Sequence, residues 1–307
     1  MVKYLKCDGM NYQIITVVGG GMNQFKKLYV GIPVYNELPY LRKMIDSLKS
    51  QTTDDVTFLI SDNNSSDGSW EFVSKCCEGD NRFVLVQHEK NIGAASNFEF
   101  LFNSSDCDYF MWMGAHDYVS PGFFQAALDV LDEHIDIVMV SGQPYQFIAD
   151  AEPIFMAEAI YKFTAKRLGR YLQSVRLLGN CTIAYSVFRK KALMDFEFRK
   201  TISNDHVLLS HLLWFGNVHY LEKECYFRRY FDSERLQTQS YRITGANDYL
   251  SRHEMILYYL DDIGRLYDGD VRMLRYLEHE IIDTLQHRFG VQSLSVNDDY
   301  LSGKAEL

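Results

Sequence analysis

The chain has no basic excess: 31 lysines and arginines stand against 41 aspartates and glutamates, giving a net charge of −10. A phosphodiester backbone needs a cationic surface, so the balance excludes a nucleic-acid partner but not a local cationic site for a diphosphate. No apolar run approaches the length needed to span a bilayer, and Ile14 to Val18 is too short for the core of a secretory signal. The cysteines, Cys7, Cys76, Cys77, Cys107, Cys181 and Cys225, lack paired metal-ligand spacing. Adjacent Cys76 and Cys77 have poor geometry for a disulfide, so reduced thiols and a cytoplasmic location are expected. No internal repeat is evident. What remains is a chain of 307 residues, 47% hydrophobic and 23% charged, enough for one α/β domain with an appendage.

Strand and helix patterns alternate through the first half. Leu28 to Val34, Val56 to Ile60, Phe83 to Val86, Tyr109 to Met113 and Ile135 to Val140 read as strands, nearly all apolar. Between them lie a helix with Leu41, Met44, Ile45 and Leu48 at helical spacing, one with Trp70 and Val73, one from Asn91 to about Phe102, and one over Phe123 to Leu131 opened by Pro121. Apolar strands alternating with helices predict an α/β fold: a Rossmann-like, mostly parallel sheet with helices on both faces. The second half reads as α+β, with a helix over Ala165 to Leu172, a strand over Thr182 to Val187, a helix over Asn204 to Leu213 and strands over Val218 to Leu221 and Cys225 to Tyr230. From Gly245 onward the pattern is helical. One helix carries Tyr249, Met255, Ile256 and Tyr259; another, capped by Asp270, carries a stripe of Val271, Leu274, Leu277, Ile281 and Leu285. The expected division is an extension over 1–26 (with Met22 an alternative start), a main domain over 27–243, and a helical region with a loose tail over 244–307.

Chemistry-bearing residues gather where the strands end. Tyr109 to Met113 stops at Gly114-Ala115-His116-Asp117, which puts an imidazole and a carboxylate at the carboxyl edge of the sheet, where open α/β sheets bind ligands. His116 and Asp117 together suit a divalent transition metal, although a histidine there can equally be a hydrogen-bonded core residue. Asp62 closes the second strand and either caps the next helix or accepts hydrogen bonds from a base or ribose. Pro33, Tyr35 and Glu37 load the neighbouring strand end. Asp205 opens a helix as a cap, or serves as a general base if it faces the crevice. Arg228 and Arg229 alternate with aromatics, so one should point to each sheet face; either could pair with a phosphate or form a surface salt bridge.

In this order the motifs resemble those of the family 2 glycosyltransferases, which have the GT-A fold, over about Leu28 to Tyr230. Val30-Gly31-Ile32-Pro33-Val34-Tyr35-Asn36-Glu37 is similar to the family's opening strand and turn against the nucleoside. Ile60-Ser61-Asp62-Asn63-Asn64-Ser65-Ser66-Asp67-Gly68 resembles its second motif, which implies base recognition by Asp62. Glu89 to Asn97 is similar to the Asn-x-Gly segment beside the sugar nucleotide and brings in Asn91, Gly93 and Asn97. Met113 to Pro121 resembles the DXD-type motif, with Ala115 in the donor-contacting run and His116 where the usual metal-binding acid stands. Asn204-Asp205 resembles the Glu-Asp pair whose Asp is the catalytic base, and Tyr226 to Tyr230 the strand that closes the site.

The resemblance implies an inverting transferase moving a sugar from a nucleotide-sugar donor, a UDP-sugar for preference, to a hydroxyl of a glycan or lipid-linked acceptor in surface polysaccharide synthesis. It also implies a divalent metal. Imidazole in place of an acid favours Mn2+ over Mg2+; the same change is compatible with metal-independent transfer or a dead site. A pseudoenzyme that binds nucleotide or glycan as an assembly partner is therefore the competing expectation. A nicotinamide-dependent oxidoreductase built on Gly19-Gly20-Gly21 is a third, opposed by the strand rather than helix that follows the glycines. The C-terminal helices could pack on the main domain, join two copies of the chain, or touch a membrane peripherally. The acids Glu278, Glu280 and Asp283 suit anionic lipid poorly. Acceptor contacts are expected from around Tyr145 to Asn180.

Overall fold

A computed structural model describes residues 6–7, 10–11, 14–19, 26–149, 151–199, 204–231 and 248–289. Gly20, Gly21 and Met22, singled out above, lie outside the described residues. Strands β1 (Lys6–Cys7) and β2 (Met10–Asn11) pair only with each other, while β3 (Ile14–Gly19) joins the edge of a ten-stranded sheet, antiparallel to β6 (Phe83–His88). Next to β6 come β5 (Val56–Asp62), β4 (Leu28–Val34) and β7 (Tyr109–Trp112), all parallel. The sheet then changes character. β11 (Val187–Arg189) runs antiparallel to both β7 and β9 (Ile137–Ile148), β12 (Asn217–Tyr230) runs parallel to β9, and β8 (Tyr118–Val119) closes the edge antiparallel to β12. β10 (Ile154–Phe155) pairs off β9.

The strand period of two sorts side chains into two cores. Leu28, Val30 and Ile32 of β4, Phe58 and Ile60 of β5, and Tyr109 and Met111 of β7 face one layer, built by α1 (Leu38–Lys49), α2 (Ser69–Cys76) and α4 (Phe123–Glu133). Tyr29, Leu59, Phe110 and Trp112 face the other, built by α3 (Ala94–Asn103), α5 (Arg167–Leu177), α6 (Asn204–Phe215), α7 (Asp248–Leu266) and α8 (Val271–Phe289). The expected α/β architecture, with its mostly parallel first half, is the observed one. In α1 the expected Leu41, Met44, Ile45 and Leu48 are the buried residues, and Pro39 sits in its first turn, where the missing N–H costs nothing.

Some expected elements differ, and the strand expected over Ile135 to Val140 runs instead from Ile137 to Ile148 as β9. Thr182 to Val187 is not one strand: Cys181–Tyr185 forms a 3₁₀ turn before β11. Asn180 causes this, because its Oδ1 accepts from Thr182 N at 3.0 Å and Thr182 Oγ1 at 2.6 Å and so offers the backbone an alternative to the ladder. Conversely, the strands over 218–221 and 225–230 are one continuous β12 with a register shift between Tyr220 and Cys225. Asp270 caps α8 as expected, its Oδ1 accepting from Arg272 N at 2.7 Å. Leu277, Ile281 and Leu285 of α8 bury into the second core, whereas Val271 is 61% exposed. Among the described residues no helix is long and apolar enough to cross a membrane.

Candidate functional site

Because β4, β5 and β7 are parallel, their carboxyl ends load one edge of the sheet. The loops leaving β4 and β5 brace each other. Asn36 adopts φ 56°, a left-handed conformation that asparagine tolerates. Its N–H donates to Ser65 Oγ at 2.9 Å while its Oδ1 accepts from Ser66 N at 2.9 Å. Asp67 accepts from Leu38 N at 3.0 Å and from Ser69 N at 3.0 Å, so one carboxylate caps α1 and α2 together. Partial burial opposes ionisation of Asp67, but these hydrogen bonds hold its carboxyl below the usual range.

This brace positions Asp62. It is fully buried, and its Oδ2 accepts from Ser65 N at 3.1 Å and Gln87 Nε2 at 3.2 Å. Its Oδ1 is buried without a hydrogen-bond partner. Such an atom is costly in a native protein and marks a place where a ligand donor can enter. The third loop is tied in through Asn63, which donates to Asn91 Oδ1 at 3.0 Å and accepts from Ile92 N at 2.8 Å; Asn91 Oδ1 also accepts from Gly93 N at 2.8 Å. Gly93 enters α3 at φ 86°, which an L side chain rarely adopts. Pro33 lies opposite Ser61 in the ladder and Tyr35 is 45% exposed at the rim. Asn97 lies one layer back: Ser61 Oγ donates to its Oδ1 at 2.6 Å, its Nδ2 donates to Ser61 O at 3.1 Å, and His88 Nε2 is 2.9 Å from the same hydroxyl.

His116 and Asp117 face different ways. Asp117 is 1% exposed, its Oδ2 accepting from Tyr226 OH at 2.6 Å and its Oδ1 from Arg229 N at 2.8 Å. Burial, then the Asp117 charge, pushes the Tyr226 hydroxyl well above its ordinary pKa, so it stays a donor. A Cβ on Gly114 would lie 2.5 Å from Asp117 Oδ2, so the carboxylate occupies the space a side chain there would need. Ala115 is also buried. His116 instead turns toward Glu37: Nδ1, which lacks a hydrogen-bond partner, lies 3.5 Å from Glu37 Oε2, and Nε2 lies 3.9 Å from Asp117 Oδ1. Its ring sits edge-on to Phe231 with centroids 4.9 Å apart. Arg229 fixes this loop by donating to His116 O at 3.4 Å and Ala149 O at 2.7 Å, with its guanidinium over the Tyr40 ring.

Arg228 projects to the other side of β12. It donates to Thr182 Oγ1 at 3.0 Å and lies 5.2 Å from the Tyr185 and 5.0 Å from the Tyr230 ring centroids. There it lines an open cavity of about 430 Å³ together with Asp205, His206 and Cys181. Asp205 is exposed in the first turn of α6, where its Oδ1 accepts from His206 N at 3.0 Å. The ligand atoms of Cys181, Asp205 and His206 all lie within 4.8 Å of one another. Burial, then the Asp205 charge, pushes the Cys181 thiol well up, while burial holds His206 below its ordinary value despite Asp205. Two clusters therefore lie on opposite sides of β12, and none of Glu37, Asp62, His116 or Asp117 lines the cavity that holds Asp205. Glu37, His116 and Asp117 lie against Arg229, and Asp205 lies with Arg228. His206 and Gln87 are site neighbours that the sequence did not mark, and Cys181 and Tyr226 were marked only as a reduced thiol and as part of the closing strand. His206 follows Asp205 directly, whereas Tyr226 meets Asp117 across 109 positions and no spacing announces it.

Comparison with known proteins gives a consistent result. A sequence model described as glycosyl transferase family 2 matches residues 29–196. The glycosyltransferase GlyA of Streptococcus pneumoniae is 26% identical over 121 residues, covering 39% of this chain and 17% of GlyA. The minor teichoic acid biosynthesis protein GgaB of Bacillus subtilis is 22% identical over 282 residues, 86% of this chain and 29% of GgaB. The chain thus spans less than a third of each, and 31% of the Bacillus subtilis protein EpsH. Among solved structures, residues 1–349 of S. aureus TarS in complex with UDP-GlcNAc superpose with a TM-score of 0.62 at 15% identity, covering 90% of this chain and 75% of that one. At that identity the likeness is one of fold.

Proposed function

The chain belongs to glycosyl transferase family 2, and from that premise we propose that it is an inverting hexosyltransferase. It moves a sugar from a UDP-sugar to a hydroxyl of a glycan or lipid-linked acceptor during surface polysaccharide synthesis. The activity is assigned to residues 27–243, with 244–307 as a C-terminal helical region and tail, of which 244–247 and 290–307 lie outside the described residues. The observation that supports this most directly is Asp205: an exposed carboxylate at a helix start, sharing a cavity with the Arg228 guanidinium. In this reading Asp205 takes the proton of the acceptor hydroxyl as it attacks the anomeric carbon, and a single displacement inverts the configuration. Charge developing on the leaving diphosphate is met by Arg228 from one face of β12. Asp62 receives the base through Oδ1, with Asn91, Gly93 and Tyr35 along the same edge. Complex formation between TarS and UDP-GlcNAc, and the teichoic-acid role in GgaB's name, support the choice of donor and polymer class.

The residues around His116 fit a divalent ion. The His116 ring lies between two carboxylates, with the unpartnered Nδ1 3.5 Å from Glu37 Oε2 and Nε2 3.9 Å from Asp117 Oδ1, and each bonded Asp117 oxygen keeps a second lone pair. This mixed nitrogen and oxygen set suits Mn2+ better than Mg2+. Such an ion supplies Lewis acidity toward the diphosphate. Around it, Tyr226 and Arg229 hold the Asp117 carboxylate in place, and Arg229 fixes the His116 backbone.

The test is Asp205→Asn with UDP-sugar donors. Transfer should fall by about 10²–10⁴-fold, the usual contribution of a general base, while UDP affinity measured by calorimetry stays unchanged. Near-normal transfer by the variant removes the base assignment. UDP binding by the wild type with no hydrolysis or transfer from any donor leaves the pseudoenzyme reading.

A further inference from the structure

We propose that Cys181 Sγ, the Asp205 carboxylate and a ring nitrogen of His206 form a site for a thiophilic divalent cation of the Zn2+ class. Its occupancy withdraws Asp205 from proton transfer. The first statement stands on geometry alone; the second rests on Asp205 being the base of the proposed reaction.

The three groups come from two elements, the 3₁₀ turn Cys181–Tyr185 and the first turn of α6. Their ligand atoms already lie within 4.8 Å of one another. Ligands on one tetrahedral zinc, at about 2.0–2.3 Å from the metal, are roughly 3.5 Å apart. Closing the set therefore takes a side-chain rotation of about 1 Å, which the exposed Asp205 can make. The fourth position opens into the 430 Å³ cavity, the arrangement of three protein ligands and an open place that a reachable zinc site requires. Sulfur, nitrogen and oxygen together select a softer cation than the oxygen-rich surroundings of His116.

The surrounding charges are compatible with this. A thiolate and a carboxylate neutralise a dication, and the thiol proton leaves to solvent on binding. Arg228 lines the same cavity as the three groups, and Arg288 lies on α8 behind them. Each guanidinium is otherwise engaged, Arg228 with Thr182 Oγ1 and Arg288 with the carbonyls of Val175 and Leu178. Bound this way, the cation occupies the carboxylate oxygen that would accept the hydroxyl proton, so transfer stops without loss of the donor edge at Asp62.

The full chain is titrated with Co2+, followed by near-ultraviolet absorption, and then with Zn2+ in competition. One equivalent of Co2+ should give a thiolate charge-transfer band that Zn2+ abolishes. Cys181→Ser should lose the band, and His206→Gln should bind Zn2+ at least about tenfold more weakly, the loss that even an outer-shell partner causes. Melting curves establish that both variants are folded; if Cys181→Ser is not, His206→Gln decides. No band in the wild type, or Zn2+ affinity unchanged in a folded variant, overturns the site. Zn2+ should also inhibit transfer by the wild type several-fold more than by Cys181→Ser. A band with undiminished transfer at saturating Zn2+ overturns the inhibitory half alone. A band with no transfer from any donor leaves the metal site standing and removes the proposed function.

Discussion

At the scale of single residues, the DXD-like segment is shaped by one carboxylate turned inward. Asp117 accepts from Tyr226 OH and Arg229 N, and its Oδ2 would lie 2.5 Å from any Cβ at position 114. Gly114→Ala must therefore rotate Asp117 away from both donors. It should destabilise the protein by about 1–3 kcal/mol, the range for overpacking and for a lost buried hydrogen bond, read as a shift in urea midpoint at constant slope. Unchanged stability would show that Asp117 has room to move. That His116 and Asp117 end a buried strand was legible from the run Tyr109 to Met113. Their opposite orientations were not, because adjacent side chains diverge and their partners come from elsewhere in the chain, Glu37 from the start of α1 and Tyr226 from β12. Asn97 illustrates the same limit. Its place beside the Asn-x-Gly segment was readable, but its bonds to Ser61 and the neighbouring His88 depend on the pairing of β5 with β6.

At the scale of elements, periodicity served wherever burial followed it. The two-core alternation in β4, β5 and β7, and the four buried positions of α1, were plain in the sequence because each element buries a regular face. The 3₁₀ turn at Cys181–Tyr185 was hidden because its apolar run looks like a strand and a single side chain, Asn180, bends it. The segment joining that turn to α6 is held to α7 by charge: Glu197 bonds both Arg199 and Arg265, and Arg199 lies 2.9 Å from Asp261. Hydrogen bonds from Arg199 and then Arg265 pull the Glu197 carboxyl from 4.5 down to about 2. A lowered folded-state value means that the unfolded chain takes up this proton first. The stabilisation is thus complete above about pH 4.5 and is lost as pH falls toward 2. Half-exposure of these side chains and screening keep it small. Glu197→Gln should melt with a shallower dependence on pH between about 4.5 and 3, and the difference from wild type should shrink in high salt; parallel curves would show that the bridge contributes nothing.

At the scale of the whole molecule, the helices after residue 247 complete the second core. Tyr258, Tyr259 and Ile263 of α7, and Leu277, Ile281 and Leu285 of α8, bury with α5 and α6, the helix that bears Asp205. The apolar stripe of α8 was legible. Its occupant was not, since a stripe states only that something covers it, and here α5 lies against it within the same chain. At the centre of this layer, His211 Nδ1 lies 2.7 Å from Asp262 Oδ1 and Tyr171 OH donates to Asp262 Oδ2 at 3.2 Å, tying α6, α7 and α5 through one fully buried carboxylate. Removing the carboxylate leaves the buried His211 Nδ1 and Tyr171 hydroxyl without their shared partner, which costs about 1–3 kcal/mol for each unsatisfied group. Asp262→Ala should lower stability by that amount. It should also lower transfer, because α6 loses the contact that seats its buried face and with it the position of Asp205. Replacing the pair together, Asp262→Leu with His211→Leu, leaves only the Tyr171 hydroxyl unsatisfied and should recover more than half of the loss. If the double variant is as unstable as Asp262→Ala, the carboxylate matters through Tyr171 rather than His211, and the docking of α7 on α6 owes more to its aromatic packing than to this polar link.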